Sequence, residues 1–371
     1  MRILLLSAYD AGSHRYWREE LVNAFPDYEW RQLTLPARYF NWRIRGNSLS
    51  WAFEQSEVLR EGYDLLIATS MVDLSSLRGF VPELAAIPTI VYFHENQFAY
   101  PLGENVKQKS VEPQMVNLYT ALCADQLVFN SDYNRNSFLT GVSDLLRKLP
   151  DYIPTGIVEK LSESIVLPVP ISDHLFTMDK KTECYDRPIQ LIWNHRWEYD
   201  KGPDRLLNLV EILLKDGVDF QISVVGERFR KIPEPLNKLR NLLEDSPQHL
   251  RHWGYLPRKD DYYALMADSD VVLSTAIHDY QGVAMLEAVA CGCRPLAPNR
   301  LAYPGIFGEE YCYISYEDNL NQEAHVMAES VKGLIASKTQ ERLIAPNMYH
   351  FSSNVLSKKY RDIFEGVSKF M

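Results

Sequence analysis

The strongest constraint on the fold is an alternation of short apolar runs with amphipathic stretches. Five runs in the first half have the length and the β-branched or aromatic content of buried strands: residues 2–9, 64–70, 89–94, 126–130 and 164–170. Segments with helical periodicity lie between them, at 14–25, 49–61 and 132–147. Such alternation predicts an α/β fold in which helices wrap a parallel sheet.

The second half repeats this plan. Strand candidates at 188–194, 220–226 and 269–276 precede helical segments that begin near Pro203, near 235 and near 283. We therefore predict two Rossmann-like doubly wound domains, 1–172 and 188–349, joined by a polar stretch at 171–188. We expect them to face a central cleft, and the closing helix 353–369 to pack back onto the first domain.

Composition narrows the function. Of 371 residues, 46% are hydrophobic and 24% charged, and the formal net charge of −10 argues against nucleic-acid binding through a general positive field. Five irregularly spaced cysteines suit a reducing compartment better than a disulfide framework. The N-terminal apolar run stops at Asp10, too short for a secretory signal, and no run approaches the roughly 20 apolar residues of a membrane span. We expect a cytoplasmic protein without a membrane span.

Two kinds of site are disfavoured by missing motifs. Cys291 and Cys293 have no second pair or nearby histidine cluster to complete a tetrahedral set, so we expect no metal site. A dinucleotide fingerprint would need G-x-G-x-x-G after the first strand, where only Gly12 is present. Gly12 could let the backbone approach a phosphate or a sugar, although a lone glycine in such a loop is more often a simple turn.

Four consecutive polar residues end the strand candidate 89–94 and follow it. They are His94, Glu95, Asn96 and Gln97. Polar groups at a strand end could simply face water. In an open parallel sheet, however, the carboxyl ends of the strands border the ligand crevice, so this segment is a candidate site.

Two cations follow the strand candidate 188–194. Arg196 and Lys201 lie in one loop, directly before Gly202 and a helix that Pro203 can open. An arginine offers a fixed fork to phosphate and a lysine offers a point charge, so together they could hold a diphosphate and neutralise it as it leaves. Either residue alone would be read as part of a solvated basic loop.

Two acidic residues follow the strand candidate 269–276. Asp279 lies in the loop, and Glu287 lies in an otherwise apolar helix, where a carboxylate is costly without a partner. Ribose hydroxyls could supply that partner, and a structural salt bridge is the alternative. Backbone N–H groups near Gly282 and Val283 could meet phosphate oxygens at the helix N-terminus.

Arginines and aromatic residues alternate in 13–18 and 37–45. The arginines are Arg15, Arg18, Arg38, Arg43 and Arg45, and the aromatic residues are Tyr16, Trp17, Tyr39, Phe40 and Trp42. Aromatic rings can stack on unpaired bases while guanidinium groups bind phosphates, as in single-stranded RNA recognition. Core aromatics with arginines that reach to solvent would give the same pattern.

The second half resembles the retaining glycosyltransferases of family 4, whose fold is called GT-B. The resemblance rests on Arg196, Lys201 and Gly202, and on Asp279 and Glu287 with Gly282 between them. The family usually has Glu at the first acidic position, so Asp279 is a departure. The resemblance implies that Gly12, Arg196, Lys201, Gly202, Gly282, Val283, Ala284 and Glu287 bind the donor, and that Arg196, Lys201, His94 and Asp279 are catalytic.

The first half resembles a narrower branch, the tRNA-queuosine α-mannosyltransferases. The segments that carry this resemblance are "AGSHRYW" (11–17), "LPARYFNWRIRGNSLSWA" (35–52) and "YFHENQFAYP" (92–101). It implies transfer of mannose from GDP-mannose to the cyclopentenediol of queuosine at the wobble position of a tRNA anticodon, with no metal cofactor. Acceptor contacts are then expected from Ser13, His14, Trp42, Arg43, Arg45, Glu95, Asn96 and Gln97.

Three alternatives stay open at the level of the residues. A family 4 enzyme with another nucleotide sugar and a lipid, polysaccharide or small-molecule acceptor would share the donor motifs. An RNA-binding relative without catalysis, with Asp279 as the lesion, and a nucleotide-sugar epimerase are the others. The residues do not distinguish the donor base and sugar, the tRNA species or the oligomeric state. As a test, Lys201→Ala is predicted to lower turnover by about two to three orders of magnitude without unfolding the protein.

Overall fold

The computed structural model divides the chain into two compact units. Unit 1 comprises Met1–Pro170 and Ser353–Met371, and unit 2 comprises Ile171–Ser352. The structure describes residues 1–100, 110–150, 152, 154–178, 187–228, 231–338 and 343–369. The sequence places the first domain at 1–172 and the second at 188–349. The segment 171–178, predicted as part of the join, belongs to unit 2, where Ile171 forms a parallel bridge with Ser352.

Unit 1 contains a six-stranded sheet in the order β2-β1-β3-β4-β5-β6, in which every pair is parallel. Its strands are β1 (Arg2–Asp10), β2 (Glu29–Pro36), β3 (Leu65–Thr69), β4 (Thr89–Phe93), β5 (Gln126–Phe129) and β6 (Ile165–Val166). Every residue of β3 and β4 is buried. Strands buried on both faces are what a parallel sheet covered by helices requires, which explains their continuous apolar runs.

Helices connect these strands. They are α1 (Gly12–Ala24), α2 (Phe40–Glu54), α3 (Ser56–Leu59), α4 (Leu74–Phe80), α5 (Val111–Leu122), α6 (Asp132–Leu146) and α7 (Ile157–Ser162). Side-chain caps define several starts: Asp73 accepts a hydrogen bond from the Ser76 N–H, and Ser131 from the Asn134 N–H. Such caps satisfy backbone donors that have no partner inside the helix.

Unit 2 repeats the architecture in the order β12-β11-β10-β7-β8-β9, again with parallel pairs. The strands are β7 (Ile189–Trp193), β8 (Phe220–Val225), β9 (Leu250–Gly254), β10 (Val271–Leu273), β11 (Arg294–Pro298) and β12 (Cys312–Tyr313). The helices are α8 (Asp173–Phe176), α9 (Pro203–Lys215), α10 (Glu234–Glu244), α11 (Lys259–Ala267), α12 (Val283–Ala290), α13 (Tyr303–Phe307) and α14 (Leu320–Lys338).

The closing helix α15 (Ser353–Lys369) packs on unit 1. The Tyr360 hydroxyl accepts a hydrogen bond from the Trp17 indole N–H at 3.0 Å and donates to the Pro168 carbonyl at 3.0 Å. The Phe364 ring meets the Phe25 ring at a centroid distance of 5.5 Å. Residues from the C-terminal part of the sequence thus pack against residues of the first 170.

Several elements differ from the sequence prediction. β2 was not predicted, because it is a half-exposed edge strand with only a few apolar side chains. The run predicted as a strand at 164–170 is a strand only over Ile165–Val166. The segment 40–48 is the first part of α2, whereas helical periodicity was recognised only from residue 49.

Three further observations concern the described residues alone. No helix among them is long and apolar enough to cross a membrane. No group of three or more His, Cys, Asp or Glu side chains in the described ranges could hold a metal ion. Cys291 and Cys293 are buried free thiols, and burial together with Glu287 raises the pKa of Cys291 to about 12. Cys184 lies outside the described residues, as does Pro101 at the end of the segment 92–101.

Candidate active site

The carboxyl edge of the unit 1 sheet carries two stacked imidazole rings. His94 directly follows β4, and His14 lies in the first turn of α1, which begins directly after β1. Their ring centroids are 4.2 Å apart with an interplanar angle of 23°. The Trp17 and His94 rings form an edge-to-face contact with a centroid distance of 4.7 Å. Two of the predicted site residues, far apart in sequence, are therefore in direct contact.

His94 is a neutral base in this setting. It is 6% exposed, and its burial, with a smaller contribution from His14, holds its pKa well below the usual 6.5. Its Nε2 atom has no hydrogen-bond partner among the described residues, nor has Nδ1 of His14. The other ring nitrogen of His14, Nε2, is 3.8 Å from a carboxylate oxygen of Glu95. The His94 ring therefore contributes polar nitrogens at this edge without a positive charge.

Asn96 has a structural role, which corrects its prediction as an acceptor contact. It is fully buried, and its amide nitrogen donates to the Asn134 carbonyl and side-chain oxygens and to the Ser137 hydroxyl, at 2.9 to 3.2 Å. Its side-chain oxygen accepts from the N–H groups of Phe98 and Ala99, both at 3.0 Å. Every donor and acceptor site is thus used to build the loop.

Gln97 is held less completely. Its backbone N–H donates to the Asn117 side-chain oxygen at 2.7 Å, and its amide nitrogen is 3.6 Å from the Met71 sulfur. Gln97 and Glu95 are both partly exposed. Of the four polar residues at this strand end, Glu95 and Gln97 are therefore partly exposed, whereas His94 and Asn96 are buried.

The predicted alternation of arginines and aromatic rings divides into buried and exposed parts. Trp17 is 1% exposed and bonded to Tyr360, so it cannot stack on a base, which corrects that part of the prediction. Arg18 is held by Asp10 at 3.1 Å. Tyr39, by contrast, is 73% exposed and Trp42 is 59% exposed.

Trp42 lies on α2, and its indole ring lies beside Gly46 of the same helix. A Cβ atom at Gly46 would come within 2.5 Å of the indole ring, so the glycine provides the space in which the ring lies. Arg45, one turn away, forms an ion pair with Asp73 at 2.8 Å. Arg45 is therefore already neutralised, whereas Arg43 is partly exposed and forms no ion pair within the described part of the chain.

Gly12 and Ser13 open α1. Both are exposed, and the N-cap position before them, Ala11, provides no side-chain hydrogen bond. The helix begins at Gly12 itself, two residues earlier than predicted. The position suits the predicted contact of its backbone with a polar ligand, because the first N–H groups of a helix have no partner inside it.

In unit 2, Lys201 is the centre of a buried ion cluster. It is 7% exposed, and its ammonium donates to the His278 carbonyl at 2.8 Å. Carboxylate oxygens of Asp200 and Asp279 lie at 3.3 Å and 3.4 Å. Burial would lower the pKa of Lys201, but these two carboxylates raise it above its usual 10.5, so the side chain stays charged.

The loop that carries Lys201 is fixed by hydrogen bonds through Thr275 and by a close backbone approach at Gly202. The Trp193 indole donates to the Thr275 hydroxyl at 2.9 Å, and that hydroxyl donates to the Lys201 carbonyl at 2.8 Å. Gly202 has a φ of 64°, and a Cβ there would come within 2.0 Å of the Thr275 carbonyl oxygen. Only glycine fits this approach, which explains the Lys-Gly pair.

Asp279 is bonded on both oxygens. One accepts from the Gly282 N–H at 2.9 Å, and the other accepts from the Tyr303 hydroxyl at 3.1 Å and lies beside Lys201. Burial alone would raise the pKa of Asp279, but Lys201, His195 and the Gly282 N–H together lower it to about 2. The Gly282 N–H, predicted to meet a phosphate, is therefore engaged by Asp279, which is a correction.

Arg196 and the residues of α12 complete this edge. Arg196 is partly exposed and forms an ion pair with Glu198 at 3.1 Å. Val283, Ala284 and Glu287 are all partly exposed. The negative charge of Glu287 contributes to raising the pKa of Tyr262, after the larger effect of burial.

Three side chains at this edge were not identified from the sequence. Asn194 donates to the Ala284 carbonyl at 2.7 Å and to the Tyr262 hydroxyl at 2.9 Å, and so ties the end of β7 to α12. His195 is 3% exposed, and burial with the nearby Lys201 charge lowers its pKa to about 4. Asn194 directly follows β7 and His195 comes next, the strand-end signal that identified His94. Tyr303 had no such signal.

Comparisons with known proteins divide the chain as the structure does. Residues 2–171 match the family model described as tRNA-queuosine alpha-mannosyltransferase N-terminal, and residues 176–347 match glycosyl transferases group 1. The tRNA-queuosine alpha-mannosyltransferase of Drosophila melanogaster is 34% identical over 373 residues, covering 98% of this chain and 96% of that protein.

Two more distant likenesses are with another mannosyltransferase and with a solved structure of the same fold. A GDP-mannose-dependent phosphatidylinositol dimannoside mannosyltransferase of Mycobacterium tuberculosis is 26% identical over 144 residues, 36% of this chain and 35% of that protein. The sucrose-phosphate synthase structure from Thermosynechococcus elongatus aligns over 99% of both chains with a TM-score of 0.74 and 14% identity. The last likeness concerns the fold alone.

The class of protein is now defined. Two parallel six-stranded sheets with helices, and a group 1 domain whose strand ends carry a buried Lys-Asp cluster, make the chain a glycosyltransferase of the GT-B fold. Given the 34% identity over nearly the full length of both proteins, the chain belongs to the tRNA-queuosine α-mannosyltransferase family.

Proposed function

We propose that the protein transfers mannose from GDP-mannose to the cyclopentenediol of queuosine at the wobble position of a tRNA anticodon, with retention of configuration. The observation that carries this proposal is the match of both halves, including the acceptor-side segment 2–171, to one family of transferases. The GDP-mannose-dependent relative that matches 36% of the chain supports the choice of donor.

In this proposal the leaving diphosphate is held at the carboxyl edge of the unit 2 sheet. The bond between the anomeric carbon and the β-phosphate oxygen breaks, and negative charge develops on that oxygen. Lys201 is fixed by three contacts before any substrate arrives, and Arg196 supplies a second cation from the same loop. Preorganised charges of this kind stabilise a transition state without reorganisation. We therefore propose that no metal ion is needed.

The sugar and the acceptor are assigned by the charge state of the groups. A neutral imidazole at His94 can accept or donate a hydrogen bond at the mannosyl group without repelling the positive charge that builds on it. An acceptor hydroxyl attacks the anomeric carbon, and its proton passes to the departing diphosphate oxygen. Glu95 and Gln97 remain proposed acceptor contacts, with Ser13 and His14, whereas Asn96 is left out because its side chain is fully bonded within the loop.

The exposed aromatic residues at the start of α2 are the proposed contact with the tRNA. Tyr39 and Trp42 offer ring faces to solvent, and Arg43 adds a cation beside them. Stacking on one base is worth about 1–3 kcal/mol, so Trp42→Ala is expected to weaken tRNA binding about tenfold or more and to leave GDP-mannose binding unchanged. Phe53→Ala, at the other end of the same helix and 75% exposed, is the matched control.

The function is tested by a transfer assay on two tRNAs. Queuosine-containing tRNA, and the same tRNA with unmodified guanosine at the wobble position, are incubated with a panel of GDP, UDP and ADP sugars. The RNA is digested and analysed by mass spectrometry, and α-mannosidase treatment reports the configuration. We expect one mannose on queuosine, only with GDP-mannose, and an unchanged yield in EDTA.

Other outcomes separate the parts of the proposal. Transfer from a UDP or ADP sugar alone would replace the donor, and loss of the product in EDTA would contradict metal independence. No adduct with any donor would refute the acceptor. We also propose a cytoplasmic location, since the acceptor is a tRNA, and a fluorescent fusion of the full chain would test it.

A further inference from the structure

The carboxyl edge of the unit 2 sheet brings together residues from three neighbouring strands. In the strand order, β11, β10 and β7 are adjacent, and all three run parallel. The loop after β7 carries Lys201, the loop after β10 carries Asp279, and the turn after β11 leads to Tyr303. Lys201 has a proposed role in the transfer, and the family resemblance implies that Asp279 is catalytic, whereas Tyr303 has no role so far.

Tyr303 belongs to a chain of hydrogen bonds that ends at the Asp279 carboxylate. The Ala276 N–H donates to the Ser274 hydroxyl at 3.2 Å, and that hydroxyl donates to the Tyr303 oxygen at 2.8 Å. The Tyr303 hydroxyl donates in turn to Asp279 at 3.1 Å. Because each oxygen in this chain accepts from one side and donates to the other, the Tyr303 proton is directed at the Asp279 carboxylate.

The tyrosine ring also limits the space around the carboxylate. Tyr303 is fully buried, and its ring would lie 2.8 Å from a Cβ atom at Gly282, the residue whose N–H holds the other oxygen of Asp279. Burial raises the pKa of Tyr303 well above 10, so the hydroxyl keeps its proton at neutral pH. One phenol thus fixes Asp279 directly and also packs against its second partner.

The turn that presents Tyr303 is itself held in a strained conformation. Leu301 has a φ of 61°, a left-handed conformation that is uncommon for a non-glycine residue. Such strain persists only where the surroundings fix the backbone. Here Arg300 donates to the Ala276 carbonyl at 3.1 Å and forms an ion pair with Glu323 at 2.9 Å. The position of Tyr303 is therefore set by a rigid frame.

We propose that Tyr303 is a positioning residue for the transfer reaction. Its hydroxyl holds the carboxylate of Asp279 against Lys201 and leaves room for an aspartate side chain at this position but not for a glutamate. This inference rests on the proposed function, because it takes Asp279 and Lys201 as participants. A glutamate at 279 would carry its carboxylate one methylene further, toward the space that the Tyr303 hydroxyl fills. Removing that hydroxyl should make room for the longer acid.

The test is a double-mutant cycle of Asp279→Glu and Tyr303→Phe, with kcat and KM measured in the transfer assay. Tyr303→Phe is expected to lower kcat about tenfold, the usual effect of losing one hydrogen bond to a charged group, with little change in the donor KM. Asp279→Glu is expected to lower kcat about a hundredfold, as a misplacement of about 1 Å can do. The double variant should recover about tenfold relative to Asp279→Glu.

The matched control is Tyr313→Phe. Tyr313 is also a buried tyrosine of unit 2, but its hydroxyl donates to the Ser274 carbonyl at 3.0 Å and not to Asp279. It should leave kcat unchanged and should not rescue Asp279→Glu. A second readout is independent of turnover: the midpoint of the Asp279 side-chain carbon in an NMR titration should rise in Tyr303→Phe and stay unchanged in Tyr313→Phe.

Two results would overturn the inference. One is a double variant no more active than Asp279→Glu, and the other is a Tyr303→Phe enzyme with wild-type kcat and an unshifted Asp279 midpoint. If the wild-type protein transfers no sugar to queuosine, the proposed function has failed instead. The inference about Tyr303 is then tested by the NMR midpoint of Asp279 and by the affinity of each variant for the sugar nucleotide that the wild type binds.

Discussion

Replacement of Lys201 by methionine should destabilise the protein as well as inactivate it. The ammonium lies 3.4 Å from Asp279 and 3.3 Å from Asp200. At an effective dielectric constant of about 20, unit charges at that separation attract by about 5 kcal/mol before any cost of removing them from water. Removing one partner of a buried pair costs about 3–5 kcal/mol, because the remaining charge is uncompensated. We expect that loss of unfolding free energy at pH 8, together with a loss of about two to three orders of magnitude in turnover.

The stability difference between the wild type and Lys201→Met should depend on pH, in a direction set by the pKa of Asp279. In the wild type, the folded pKa of Asp279 is about 2, below its unfolded value of about 3.8, so its contribution to stability is present above pH 4 and is lost as the pH falls through 2. Without Lys201, the largest cause that lowers the folded pKa of Asp279 is lost, while burial, which raises it, remains, so we expect the folded pKa to rise above the unfolded one. The ionised carboxylate then destabilises the variant at high pH, and protonation relieves the cost. The stability difference between the two proteins should narrow from pH 8 to pH 5.

Urea denaturation at pH 8, 6.5 and 5, followed by tryptophan fluorescence, measures this difference. Adding Asp279→Asn to Lys201→Met should restore most of the stability and none of the turnover. Lys332→Met is the matched control, because Lys332 pairs with Asp216 at 2.8 Å on the surface, and it should change the denaturation midpoint little at any pH. A Lys201→Met protein as stable as the wild type at pH 8, or a gap that widens on acidification, would refute the reasoning.

Two further substitutions test other parts of the structure. Asn96→Ala removes a fully bonded amide from the unit 1 loop and should lower the unfolding free energy by about 1–3 kcal/mol, since buried partners lose their hydrogen bonds; an unchanged urea midpoint would contradict the structural role. Gly46→Ala should displace the Trp42 ring, because a Cβ there would lie 2.5 Å from the indole, and so weaken tRNA binding as Trp42→Ala does. Gly79→Ala, in another helix where a Cβ would meet nothing within 4 Å, should bind tRNA normally in the same titration.

The two-unit α/β fold could be predicted because the central strands are apolar on both faces. β3 and β4 read as continuous hydrophobic runs for that reason, and β7 does so in the second unit. β2 was not predicted because it lies at a sheet edge and its side chains are only partly buried or exposed. The sequence carries the signal of a strand mainly where burial is two-sided.

The site was predictable to the extent that its signals are local. Lys201 and Asp279 each lie in a loop after a strand and are charged, and these two local signals together predicted them as site residues. Asn96 has the same strand-end signal but is saturated by contacts with Asn134 and Ser137, some forty residues further on, which no local pattern encodes. Tyr303 comes to the site only through the order of three strands, and that order is a property of the fold.

The two sheets use their histidines in the same way. His94 directly follows β4 and His195 lies two residues after β7, and burial lowers the pKa of each below its ordinary value. Each has an Nε2 atom without a partner in the parts of the chain that the structure describes. Transfer of a sugar from a diphosphate separates positive from negative charge, so the fixed charges must be few and correctly placed. A neutral imidazole adds polarity without adding to the field, so in the proposed transfer the fixed charges come from Lys201, Arg196 and Asp279.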